Sequence, residues 1–190
     1  MSRVTTLGRW VDVLGACQTV QAAIQAQFEA AGVELPDRQY IAAGAPGDEA
    51  WDCEQLVVAL QGIAWGVAEE AYAQAVQSGT NMSAQSMRHA VIEVSLVRAI
   101  TVTSQRNGQP EVEDMNADGV RFLLDCGVLS QGMVVAASNL HDVGMDTISP
   151  VFPGGVVARP GIVDPVGPSG GFVGATATIY VSVMDLNKVS

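Results

Sequence analysis

The chain is poor in the residues on which most enzymes and nucleic-acid binders depend. Its 190 residues include one lysine, Lys188, and two histidines, His89 and His141. Charged residues make up 15%, well below the usual quarter. Aromatics make up 5%, too few to line an ordinary ligand pocket, which disfavours a small-molecule binding module. The arginines (3, 9, 38, 88, 98, 106, 121 and 159) are scattered. Tight contact with phosphates needs Lys and Arg gathered in a patch, so tight or sequence-specific DNA binding is not expected. The formal net charge of -11 still suits a surface that DNA passes without adhering.

Cys17, Cys53 and Cys126 are odd in number and far apart. They form neither a disulfide framework nor a zinc-ligand spacing, and they read as free core thiols in a reducing compartment. The first ten residues carry no apolar core of signal-peptide length. No run approaches the roughly 20 consecutive apolar residues of a membrane span. The expectation is a soluble, cytosolic protein with no membrane partner.

What the chain does contain is architecture. Hydrophobic residues reach 48%, with 20 glycines, and so low a charge density implies surface hidden against partner subunits. The length suits a single domain over residues 1–190. Leu14, Cys17, Val20, Ile24, Phe28 and Ala31 recur at three- and four-residue steps, which predicts a helix over 11–31 with that stripe buried. Gly32 can take the left-handed conformation that ends it. A short strand is expected at 38–43, closed by the turn cluster Gly44-Ala-Pro-Gly47. A longer strand follows at 54–65, with Leu56, Val58 and Leu60 on one side, Val57, Ala59 and Gln61 on the other, and a bulge at Gly62.

Residues 69–76 are helix-prone until Ser78-Gly-Thr-Asn81 breaks them. A third strand at 89–102 alternates Val91, Glu93, Ser95 and Val97 with Ile92, Val94, Leu96 and Arg98. Asp114 is placed to cap a second helix at 115–137, with Glu111, Glu113, Asp114 and Asp118 at its positive end. Val120, Leu123, Leu124, Gly127, Val128 and Val134 are its expected buried face. Gly119, Gly127 and Gly132 are the points at which it would divide. Residues 139–171 read as a long Gly/Pro-rich arm or loop, in which 156–166 could pair with the final strand through Gly167-Pro-Ser-Gly-Gly171. The order helix, three strands, helix, arm, strand predicts an α+β fold, a mostly antiparallel sheet packed with two main helices.

The search for chemistry is short. His89 opens a strand and reads as a partly buried structural residue. His141, in Ser138-Asn-Leu-His-Asp-Val-Gly-Met-Asp146, sits near a hydroxyl and two carboxylates, Asp142 and Asp146. A hydrolase built on them is a distant alternative, since triads are defined by geometry and not by adjacency. No metal-ligand spacing is met there, and the glycines at 167–171 lack the lysine and helix of a phosphate loop. Asp52 and Glu54 would suppress the reactivity of Cys53. Catalytic, cofactor and metal sites are all expected to be absent.

Several segments carry a family likeness: the first helix ending near Gly32, Leu35-Pro-Asp-Arg-Gln-Tyr-Ile41 and Trp51-Asp-Cys-Glu-Gln-Leu-Val-Val-Ala-Leu60. Further on come Glu93-Val-Ser-Leu-Val-Arg98, the helix after Asp114, and Gly167-Pro-Ser-Gly-Gly-Phe-Val-Gly174 leading into the last strand. Together they make the chain resemble the tail terminator proteins of siphophages, particularly those of actinobacterial phages. Residues 66–88 depart from that pattern and read as an insertion. The resemblance implies a structural virion protein, assembled in the host cytoplasm, that forms a hexameric ring on the tail tube. Such a ring stops tube polymerisation and joins the tail to the head connector or stopper protein, with DNA passing transiently through its lumen. On that reading Asp48, Glu49, Glu111, Glu113 and Asp114 are candidates for lumen- or partner-facing charge. Another neck component or a tail tube subunit is the nearest alternative.

Overall fold

The computed structural model describes residues 4–44, 52–65, 88–101, 112–144, 158–169 and 171–183. In chain order these form α1 (Val4–Ala31), β1 (Arg38–Ala43), β2 (Gln55–Trp65), β3 (Arg88–Ala99), α2 (Val112–Gly144), β4 (Ala158–Ser169) and β5 (Phe172–Val183). The fold is α+β. Two helices pack side by side on a five-stranded mixed sheet of order β1-β2-β3-β5-β4.

α1 begins earlier than its apolar stripe suggests and ends where expected. Gly32 has φ 65°, its N–H donates to the Glu29 carbonyl at 3.0 Å, and the Val33 N–H donates to the Phe28 carbonyl at 3.0 Å. This pair of bonds is a Schellman cap, and Val33 completes it by packing on the core beside Phe28. Cys17, Val20, Ile24 and Phe28 are buried as the spacing implies, whereas Leu14 and Ala31, at the two ends of the stripe, are exposed.

In the sheet, β2–β3, β3–β5 and β4–β5 are antiparallel. β1 and β2 are parallel, Arg38 opposite Gln55 through Ala43 opposite Leu60. This pair departs from the antiparallel arrangement of the rest of the sheet, since parallel neighbours are joined by a crossover and not by a tight hairpin. The register shifts between Leu60 and Gly62, the bulge expected there. Leu56, Val58, Ile92, Val94, Leu96, Ala175, Ala177, Ile179 and Val181 share the helix-covered face and form the core with both helices.

α2 differs from its sequence reading in three respects. It starts at Val112, so Asp114 lies with Glu113 in the first turn instead of capping it, still at the positive end of the helix dipole. It runs unbroken to Gly144, so the glycines do not divide it. Its buried face is also largely a different one: Asp125, Leu129, Met133, Ala136, Ala137 and Leu140 point inward. Of the expected face, Val128 packs against the core, while Val120, Leu123, Leu124, Gly127 and Val134 are exposed. The physical reason is close approach. A Cβ on Gly132 would lie 3.1 Å from the Ile24 Cα, so α1 and α2 meet at a point where only glycine fits without displacement. Gly132, Ala136 and Ala137 let the helices nest beside Leu129, Met133 and Leu140, and Val120, Leu123 and Leu124 are left outside.

The expected arm also resolves in part into regular structure. Residues 139–144 belong to α2, and Ala158–Ser169 is the edge strand β4, hairpinned onto β5. Pro160, Pro165 and Pro168 are tolerated because an edge strand can lack outward donors, and the register shifts twice along it. Gly161 lets the Thr178 carbonyl approach, since a Cβ there would come within 2.9 Å. The helix expected at 69–76 lies outside the described residues.

Candidate assembly surface

Val112, Met115, Val120, Leu123, Leu124 and Val134 are 66%, 57%, 68%, 70%, 52% and 51% exposed. Val112, Val120, Leu123 and Val134 fall within about 60° of one direction at 3.6 residues per turn, on the side of α2 away from the buried Asp125 and Gly132. Met115 and Leu124 stand on its two flanks. Gly119 and Gly127 lie between them, with nothing within 4 Å of a would-be Cβ. A row of this kind is comparable with the largest apolar patch of an ordinary monomer, about 300–600 Å², and such patches are often functional contact sites.

The opposite side of α2 holds a buried charge cluster that the sequence reading missed. Arg98, on the helix-facing side of β3, donates from Nε to Asp125 Oδ2 at 2.9 Å and from Nη2 to Asp125 Oδ1 at 3.0 Å. The two side chains are 2% and 0% exposed. Nη2 also donates to the Glu34 carbonyl at 2.6 Å, and Nη1 lies 3.8 Å from Glu54 Oε2. Glu54 in turn accepts the Ala99 N–H at 3.0 Å and faces Arg121 at 3.5 Å. One guanidinium thus joins β3, α2, the α1–β1 connection and the entry to β2. Its paired, planar geometry is what arginine supplies and lysine does not.

The sequence-predicted site residues disperse. Glu113 and Asp114 are exposed in the first turn of α2; Asp48, Glu49 and Glu111 lie outside the described residues. His89 is buried, edge-on to the Tyr180 ring at 6.0 Å between centroids. Ser138, His141 and Asp142 lie on the last turns of α2, not in a loop, and Asp146 falls outside the described residues. No group of three or more His, Cys, Asp or Glu that could hold a metal occurs among the described residues.

Burial pushes the Cys17 thiol up to about 11 and, with help from the Asp125 charge, raises that of Cys126; both are poor nucleophiles near neutrality. Cys53 has a neighbour the sequence did not suggest, since Arg38 Nη1 lies 3.2 Å from its Sγ and 3.2 Å from Asp52 Oδ1.

The Val112–Leu140 part of α2 is long and apolar enough, by length and composition alone, to cross a bilayer. Counting consecutive apolar residues hides this, because Asp125, Ser130, Gln131 and the glycines interrupt the run. Here its Leu129, Met133, Ala136 and Leu140 side is buried in the core, while about a third of the apolar stretch is buried in all. Comparison with protein-family models and with curated proteins finds no match to this sequence.

Proposed function

We propose that the chain is a structural assembly protein, a tail-terminator-like subunit that forms a ring capping a phage tail tube and joining it to the head connector. The observation that carries this reading is the exposed apolar row on α2, a surface of the kind that protein partners cover. Two further features support it. The sheet ends in unlike edges: β4 carries three prolines and β1 carries none. Unlike edges suit the head-to-tail contacts that close a ring, in which donor and acceptor surfaces differ. The net charge of -11 with scattered arginines suits a lumen through which DNA slides without binding.

The test is to mix the purified chain with a purified siphophage tail tube protein during its polymerisation and image the product by negative stain. Rings, or caps at one end of tubes of limited length, support the reading. Tubes that grow unchecked in its presence refute it, and long tubes formed by the chain alone would make it a tube subunit instead.

A further inference from the structure

The row on α2 has an internal symmetry about Leu123. Gly119 and Gly127 lie four residues to either side, Asn116 and Ser130 seven, and Val112 and Val134 eleven. At 3.6 residues per turn, all of these fall within about 40° of the Leu123 direction. The steps 4, 3, 4, 4, 3, 4 are those of a helix-pairing seam. Read in either direction, the row gives aliphatic, polar amide or hydroxyl, glycine, leucine, glycine, polar, aliphatic. We infer that α2 pairs with α2 of a second copy, antiparallel, about a two-fold axis through Leu123.

In that arrangement Val112 meets the partner's Val134, Asn116 meets the partner's Ser130, and the four glycines let the two helices approach closely around the central leucines. Every seam position is uncharged. The acidic first turn, with Glu113 and Asp114, would be set beside its own copy in a parallel pair. Antiparallel, the two acidic ends stand about 30 Å apart at 1.5 Å per residue, beyond a screening length of about 8–10 Å, and the helix dipoles oppose. The apolar part of the contact comes from Val112, Leu123 and Val134 on the seam and Val120 beside it, each more than half exposed. Together they present on the order of 200–250 Å² per chain, to which the close approach at the glycines adds backbone contact.

A two-fold contact closes at two copies, so it does not build a ring. It describes the unassembled protein, uses neither edge strand of the sheet, and rests on the α2 surface whether or not the chain caps a tube. If the chain does cap a tube, joining it would exchange the partner's α2 for another surface.

Light scattering after size exclusion should give twice the 19.8 kDa chain mass, and Leu123→Glu should give the single-chain mass with an unchanged circular dichroism spectrum. In a Cys53→Ser/Cys126→Ser background that stays folded, Leu123→Cys should form an intermolecular disulfide by itself. Val112→Cys should not, but should cross-link when mixed with Val134→Cys protein. A single-chain mass at tens of micromolar, a dimer that survives Leu123→Glu, or Val112→Cys chains that cross-link to each other would each overturn the pairing. Caps on tubes from a chain that is monomeric when free would sink the dimer and leave the cap standing. Dimers that ignore the tube would do the reverse.

Discussion

Asp125→Ala should be among the most damaging single substitutions outside the apolar core. It removes the carboxylate that takes both the Nε and Nη2 hydrogen bonds of Arg98, and it leaves a guanidinium that is 2% exposed. Orphaning one member of a buried ion pair typically costs about 3–5 kcal/mol. Here the Glu34 carbonyl at 2.6 Å and Glu54 at 3.8 Å remain, so the loss should fall at the low end, about 3 kcal/mol. For a domain of this size that is a fall in Tm of roughly 6–12 °C. Urea unfolding should show a lower midpoint at constant slope, meaning lost stability without a changed denatured state. The double variant Arg98→Met/Asp125→Leu should recover most of the loss, since apolar replacement of a buried pair is often neutral or better. A cost below about 1 kcal/mol for Asp125→Ala, as at exposed pairs, would refute the reasoning, because the cluster would then have to be solvated.

Gly132→Val should destabilise by about 1–3 kcal/mol through overpacking, because the first added carbon already lies 3.1 Å from the Ile24 backbone; thermal unfolding checks it. Cys17 should resist alkylation in the native state at pH 8 and react only in denaturant, as followed by mass spectrometry. Its folded value, about 11, lies above the ordinary 9.0, so its contribution to stability is complete below pH 9 and is lost as pH rises toward 11. Cys17→Ala should flatten that decline, and an unchanged slope would show that another group causes it.

Much of the fold was legible because local chemistry and tertiary demand agreed. Gly32 ends α1 where a left-handed residue was needed, and the alternation of β2 and β3 placed their faces correctly. Elsewhere the two diverged. Prolines made β4 read mainly as an arm, although an edge strand has no use for its outward donors. Hydropathy favoured Leu123 and Leu124 for burial, but α2 packs through Gly132, Ala136 and Ala137, whose small size and not their apolarity makes them interior. Arg98 was readable in principle, since it continues the inward alternation of Ile92, Val94 and Leu96. A charge at an inward position implies a partner, but Asp125, 27 residues on, is not identifiable from spacing.

The inversion on α2, with Asp125 inside and Leu123 and Leu124 outside, bears on why the apolar row exists. Turning the helix by about half a revolution would bury Leu123, Leu124 and Val120, each gaining roughly 1–2 kcal/mol at their present exposure. It would also strand Arg98 without Asp125, break the Asp118 bond to the Thr101 N–H at 2.7 Å, and drive a larger side chain against Ile24 where Gly132 now sits. The losses at Arg98 alone are comparable with the gain, and the steric conflict at Ile24 adds to them. The polar cluster and the glycine contact therefore fix the rotation of α2 and hold its apolar row in water. A second α2 brought onto that row would recover the burial that the lone chain forgoes, with no change in the fold beneath it.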